Sequence, residues 1–201
     1  VLAVYWTRDH PTLPAGAIPW ILGSGVIKTG YALFLQRGYR TGDFSLIYPL
    51  ARGTGPLLST LAAIALLGER PSLLALAGGS LIITAIFFLT GGPQLFHRSR
   101  AHLRHAVAYG AMSGVLIATY TLWDRHGVAR LGVPPLLYDA GTAFTQLALL
   151  TPFAFRRRAE VAAEWRDKKR WAFAIALLSP VAYVLVLTAP AVAPVSYVAP
   201  A

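Results

Sequence analysis

The sequence predicts an all-α polytopic membrane protein, and its composition and the placement of its charges are the two observations that predict this class. Of the 201 residues, 56% are hydrophobic and 13% are charged, against roughly 25% charged in a soluble domain. The charges cluster between apolar runs that are about long enough to cross a ~30 Å hydrocarbon layer. This pattern excludes a soluble globular enzyme, a disordered tail and a disulfide scaffold. The net charge of +10 indicates basic residues that face lipid headgroups rather than nucleic acid.

Six apolar runs predict the membrane-spanning helices, because each is bounded by charges or by Gly and Pro turns. They cover 18–36, 44–67, 72–90, 106–123, 134–155 and 171–188, and a further helix begins after Val192. The chain begins at Val1 and its only methionine is Met112. We therefore expect a fragment truncated at both ends, in which residues 1–6 end an earlier span.

An internal repeat is indicated by comparing the sequence with itself. A shift of 151 residues aligns Trp20 with Trp171, Ser45 with Ser196 and Pro49 with Pro200. A repeat of this length holds five helices, and an odd number of crossings inverts the second copy in the membrane. Inverted repeats are typical of secondary transporters with a midplane substrate site, although gene duplication without transport is the alternative. The predicted boundaries are 1–92 for the first repeat, 93–105 for the inter-repeat loop and 106–201 for the second.

The segment from Asp43 to Pro56, followed by Leu-Leu-Gly-Glu-Arg-Pro at 66–71, resembles the drug/metabolite transporter superfamily, specifically its EamA-type ten-helix members. In that family, Gly-Glu-Arg closes the fourth helix of a repeat. The resemblance covers essentially the whole chain. It implies a multi-pass transporter in a bacterial inner membrane that moves a small metabolite, such as an amino acid or another anionic or zwitterionic compound. Alternating access and export are the expected mechanism and direction.

Two cations inside apolar spans are the leading candidates for substrate binding. Lys28 lies about ten residues inside its span, where a charge costs roughly 2.5 to 3.5 kcal/mol on insertion scales. Arg52 lies at a similar depth on the next span, and two like charges at one level favour an anion. We expect both to meet a substrate carboxylate or phosphate. The alternatives are neutralisation by Asp124 or Asp139, or an Arg52 that snorkels to the interface.

Tyrosines on the same faces complete the predicted cavity, with simple packing as their alternative role. Pro49 and Pro56 are predicted to kink their helix, since proline removes a backbone donor. Gly110 and Gly114 form a Gly-x-x-x-Gly pair, which favours close helix contact. The full set of predicted cavity residues is Lys28, Tyr31, Tyr48, Arg52, Tyr120 and Tyr183.

Asp124 and Asp139 are the candidates for proton coupling or for a counter-ion, since intramembrane ionisable groups are functional candidates. Each also has a simpler interpretation. Asp124 follows Trp123 where an interfacial anchor would lie. Asp139 heads a polar stripe with Thr142 and Gln146 close to Pro134, where a carboxylate would be solvated.

No enzyme, cofactor or metal is expected from the motifs. The run Gly23–Thr29 resembles a P-loop, but Ile27 stands where glycine is required. The histidines at 97, 102 and 105 lie among arginines in a loop that we expect to face headgroups. The expected partners are a small-molecule substrate and membrane lipids, without nucleic acid. An integral-membrane enzyme acting on a lipid or isoprenoid is the competing class.

The orientation is left open by two opposed arguments. Loops on one side carry twelve basic residues and loops on the other side carry four, so the positive-inside rule places the 156–170 loop in the cytoplasm. The family resemblance implies cytoplasmic termini, which would place that loop outside.

Overall fold

The computed structural model describes residues 13–14, 16–41, 44–68, 70–89 and 100–192. Within these ranges all regular structure is helical, which confirms the predicted all-α class. A π-helix, His126–Arg130, directly follows the fourth α-helix. The six α-helices are α1 Ala17–Thr41, α2 Phe44–Leu67, α3 Leu73–Leu89, α4 Arg100–Arg125, α5 Pro135–Arg156 and α6 Arg158–Val192.

The largest error of the sequence prediction lies before the sixth span. The predicted 156–170 loop is helical from Arg158 onward, and only Arg157 separates α5 from α6. Alanine, glutamate, lysine and arginine dominate this segment, and all four have high helix propensity. Glu164 and Lys168 also form an i,i+4 ion pair of 2.6 Å, which supports a helix. Charge therefore ends an apolar run here without ending the helix.

Two helical segments, Ala17–Arg40 and Arg158–Val186, are long and apolar enough to cross a membrane, and Leu76–Leu89 is a shorter apolar helix. Large hydrophobic side chains lie outward on these segments, among them Leu81 on α3 and Trp171 on α6. Exposed apolar surface of this extent marks contact with lipid or a partner. The architecture is consistent with a fragment of a polytopic membrane protein.

The described chain divides into two compact units, of which the first comprises residues 13–26 and 124–192. Its core is built from Ala17, Ile21, Val128, Val133 and Tyr138. A methyl group on Gly25 would overlap Thr145, so α1 and α5 approach closely within this unit. Gly132, with φ +70°, lies in the turn before α5 and allows a backbone conformation that suits glycine.

The second unit comprises residues 27–123. Leu46 and Ile47 form its buried core. A Cβ atom on Gly110 would lie 2.6 Å from the Leu50 Cβ, and one on Gly114 would overlap Thr54, so α2 and α4 nearly touch. The predicted packing role of the Gly-x-x-x-Gly pair is confirmed.

Several predicted features lie outside the described residues. They include Glu69 of the Gly-Glu-Arg run, His97 of the basic loop, and Ser196 and Pro200 of the repeat alignment. The repeat boundaries at 92 and 106, and the inverted arrangement of the repeats, stay predictions.

Candidate functional site

Lys28 lies in the interior of α1 and is 9% exposed. Its Nζ atom lies 5.7 Å from the centroid of the Tyr120 ring on α4, within the range of a cation–π contact. The Tyr31 ring, one turn after Lys28, lies 5.9 Å from the same Tyr120 ring. The second unit therefore brings two of the predicted cavity residues, Lys28 and Tyr31, to the ring of a third, Tyr120.

Arg52, which is exposed where Lys28 is buried, contributes a second cation to this neighbourhood from α2. Its Cζ atom lies 5.7 Å from the centroid of the Tyr48 ring, one turn earlier on the same helix. Arg52 and Tyr48 are also close enough to Tyr31 to act on its hydroxyl electrostatically. We call Lys28, Tyr31, Tyr48, Arg52 and Tyr120 the cation–tyrosine cluster.

Tyr39 also lies near this cluster, since it interacts electrostatically with Tyr31, Tyr48 and Arg52. Tyr39 is not among the predicted cavity residues because it lies in the predicted loop after the first span, whereas α1 continues to Thr41. Its spacing of eight residues from Tyr31 places it within the same broad stripe of a helix, and this spacing could have indicated it if α1 had been predicted to continue.

The chemistry available to the cation–tyrosine cluster is recognition of an anion. A lysine ammonium and an arginine guanidinium form strong, charge-assisted hydrogen bonds to carboxylate or phosphate oxygens. The flat tyrosine rings beside them can stack on an apolar or planar part of the same ligand.

Helix α2 runs without interruption through Pro49 and Pro56. Because proline has no N–H, the carbonyl of Arg52 loses the donor that it would receive from residue 56 in a regular helix. The hydroxyl of Ser59 nearby donates to the Gly55 carbonyl at 2.9 Å. The kink that was predicted at these two prolines stays a prediction.

Asp124, in the first unit, is almost completely buried, with 1% of its surface exposed. Its Oδ1 atom accepts hydrogen bonds from the Ser24 hydroxyl at 2.5 Å and from the Tyr138 hydroxyl at 3.0 Å. Its Oδ2 atom accepts a hydrogen bond from the Tyr183 hydroxyl. Asp124 is therefore enclosed by polar side chains of the protein, and its role as an interfacial anchor or in proton coupling stays a prediction. We call Asp124, Ser24, Tyr138 and Tyr183 the Asp124 site.

Tyr183 contacts Asp124 within the first unit, whereas the cation–tyrosine cluster lies in the second. The place of Tyr183 in the predicted cavity stays a prediction. Tyr138 was missed entirely. A Cβ atom on Gly127 of the π-helix would overlap the Tyr138 ring, so the ring reaches Asp124 only because residue 127 is glycine. Such π-helical turns are frequent at functional sites.

Asp139, the other acidic candidate, is half-buried beside Tyr138. Thr142 is 1% exposed and its hydroxyl donates to the Asp139 backbone carbonyl at 2.8 Å. The buried line along α5 thus runs through Tyr138 and Thr142, one residue away from the predicted start at Asp139. Among the residues that the structure describes, no group of acidic and histidine side chains is arranged to hold a metal ion.

Comparison with known protein families finds one match, which covers the N-terminal part of the chain. Residues 1–91 match the EamA-like transporter family. This EamA-like segment contains α1, α2 and α3, with Lys28, Tyr31, Tyr48 and Arg52 among its residues, and the match is consistent with the resemblance drawn from the sequence. No curated protein and no solved structure matches the chain.

The matched family is one of membrane transporters, and the match spans 91 of the 201 residues. The match favours this class over the membrane enzyme that the sequence left open. Tyr120 and Asp124 lie beyond the EamA-like segment, so their place in the two sites rests on the contacts described above.

Proposed function

We propose that this protein is a secondary transporter that moves a small anionic or zwitterionic metabolite across a bacterial inner membrane. Transport proceeds by alternating access of two inverted repeats, with export as the expected direction. The observation that carries the proposal is the buried Lys28 ammonium against Tyr120, in a helix that is long and apolar enough to span a membrane.

The energetics of Lys28 support a binding role. A cation in the middle of an apolar helix is retained at a cost of several kcal/mol, so intramembrane charges mark substrate or ion pathways. Arg52 extends the same cluster, since it interacts electrostatically with Tyr31 beside Lys28. A ligand carboxylate or phosphate at this cluster would interact with both cations at once.

The test is uptake of radiolabelled glutamate, succinate and glycerol 3-phosphate into proteoliposomes that contain the full chain. We expect Lys28→Met and Arg52→Gln each to lower kcat/KM for the transported anion at least about tenfold, which corresponds to about 1.4 kcal/mol. Hydrogen bonds to charged groups typically contribute about 1.5 to 3 kcal/mol.

Matched controls separate this effect from a general loss of positive charge. Lys169→Met and Arg166→Gln remove the same charges from the exposed face of α6 and should leave uptake unchanged. Normal membrane insertion of all four variants is checked by their yield in the membrane fraction. Unchanged anion uptake by both Lys28→Met and Arg52→Gln would contradict the proposal.

A further inference from the structure

The hydroxyl of Tyr138 has two acceptors within reach and only one proton to give. Its Oη atom lies 3.0 Å from Asp124 Oδ1 and 3.2 Å from the backbone carbonyl oxygen of Trp20. A phenol donates a single hydrogen bond and can accept others. The two contacts therefore fit two different states of the same site.

In the first state Asp124 is a carboxylate. Ser24 and Tyr138 both donate to Oδ1 and Tyr183 donates to Oδ2. An ionised carboxylate offers acceptor sites only, so these three hydroxyls satisfy it without rearrangement. Hydrogen bonds to the charged form also compensate part of the cost of burying it.

In the second state Asp124 holds one proton on Oδ1 and is neutral. The new O–H donates to Tyr138 Oη, and the Tyr138 hydrogen turns to the Trp20 carbonyl. Tyr183 continues to donate to Oδ2, which is now the carbonyl oxygen of the acid, and Ser24 continues to donate to Oδ1, whose hydroxyl oxygen still accepts. The proton count rises by one and no heavy atom has to leave hydrogen-bond distance.

We propose that Asp124 is a proton-binding site, which takes up and releases one proton while the Tyr138 hydroxyl switches between Asp124 and the Trp20 carbonyl. If a buried carboxylate accepts hydrogen bonds from hydroxyls that have no other acceptor, its protonation leaves one of these hydroxyls without an acceptor. An unsatisfied buried polar group of this kind is costly. The second acceptor removes that penalty. In the proposed transporter this proton drives the conformational cycle, and that use of the proton rests on the proposed function.

Other groups near Asp124 also ionise and have to be distinguished from it. The His126 ring stacks on the Trp20 ring with centroids 4.0 Å apart, and imidazole is the side chain that titrates near neutral pH. Within four positions along the chain of Asp124, Ser24, Tyr138 or Tyr183, the other ionisable residues are Asp139 on α5, His126 on the π-helix, Tyr120 and Arg125 on α4, and Lys28 on α1.

Infrared difference spectroscopy between alkaline and acid pH tests the proposal on the full chain in lipid vesicles. A protonated carboxyl has a C=O stretching band that an imidazole or an amine lacks. We expect Asp124→Asn to remove one such band and Tyr138→Phe to shift it, because the neutral acid loses its acceptor. His126→Gln should leave the band in place. If Asp124→Asn fails to fold, Tyr138→Phe still tests the proposal, because it retains Asp124 and should shift the same band.

The second measurement is anion uptake with and without an imposed pH gradient. Wild-type uptake should respond to the gradient, and uptake by the Asp124→Asn protein should not. A spectrum in which Asp124→Asn removes no carboxyl band overturns the inference, as does full gradient dependence in that variant. Wild-type protein that transports none of the anions but retains the band would defeat the proposed function and leave proton binding standing.

Discussion

At the scale of single residues, the Asp124 site shows how a carboxylate is accommodated in an apolar interior. Its three hydroxyl donors come from three different helices: Ser24 from α1, Tyr138 from α5 and Tyr183 from α6. Each donor therefore does two things, since it solvates the carboxylate and ties its own helix to the end of α4. Loss of one donor should therefore weaken the contact between the two helices and also remove a hydrogen bond that stabilises the carboxylate.

We predict that Ser24→Ala destabilises the protein by about 1 to 3 kcal/mol, the cost of leaving a buried polar group short of a partner. The matched control is Ser80→Ala, which removes an exposed helical hydroxyl that donates only to its own helix, at the Leu76 carbonyl. The midpoint of unfolding by sodium dodecyl sulfate in mixed micelles measures the stability of both variants. Equal midpoints for the two variants would show that the Ser24 contact adds nothing to stability.

The residues of the two sites differ in how far the sequence could predict them. Lys28 and Arg52 stand out because a charge inside an apolar run is rare, and the tyrosines follow from their shared helix faces. The donors of Asp124 could not be predicted in this way. Ser24 is 100 residues away from Asp124 and Tyr183 is 59 residues away, and such separations leave no periodic signal.

At the scale of helices, the contact between α2 and α4 depends on glycines that leave no room for a side chain. Gly114 lies against the Thr54 side chain, and the Thr54 hydroxyl donates to the Leu50 carbonyl at 2.6 Å. Close approach of this kind lets backbones pack by van der Waals contact, which is a main source of helix association in lipid.

We predict that Gly114→Ala destabilises the protein by about 1 to 3 kcal/mol, because overpacking forces the helices apart. Gly78→Ala on α3 is the control, since an added Cβ atom there meets nothing within 4 Å. That change should be neutral or stabilising through the higher helix propensity of alanine. The midpoint of unfolding in the same detergent titration measures the stability of both variants. A Gly114→Ala protein as stable as wild type would contradict tight packing of α2 against α4.

Most helices could be located from the sequence because apolar length is imposed by the membrane thickness. The 44–67 span matches α2 at both ends. The charged start of α6 could not be found by the same criterion, since helix propensity and i,i+4 ion pairs, rather than hydropathy, keep it helical.

At the scale of the whole molecule, the orientation of the chain is the largest open prediction. The positive-inside rule places the basic segment 156–170 in the cytoplasm. The structure changes the shape of that segment from a loop to the exposed beginning of α6 but leaves its excess of arginine and lysine intact. The positive-inside rule therefore still predicts that segment 156–170 lies in the cytoplasm.

Cysteine labelling in intact cells decides the orientation, and the chain has no cysteine of its own. We expect a cysteine in place of Ala163 to be protected from a membrane-impermeant maleimide until the cells are permeabilised. A cysteine in place of Ala129, on the other side of α5, should react in intact cells. The reverse pattern would favour the family orientation, with the basic segment outside.

The join at Arg157 has a mechanical consequence for the first unit. Its amide donates to the carbonyls of Phe153 and Ala154 at 3.2 and 3.1 Å, and α6 begins at the next residue. Because only Arg157 separates the two helices, a displacement of the end of α5 also displaces the beginning of α6. Tyr138 lies on α5 and Tyr183 on α6. A movement of these joined helices would therefore shift two of the three hydroxyls that donate to the buried Asp124 carboxylate.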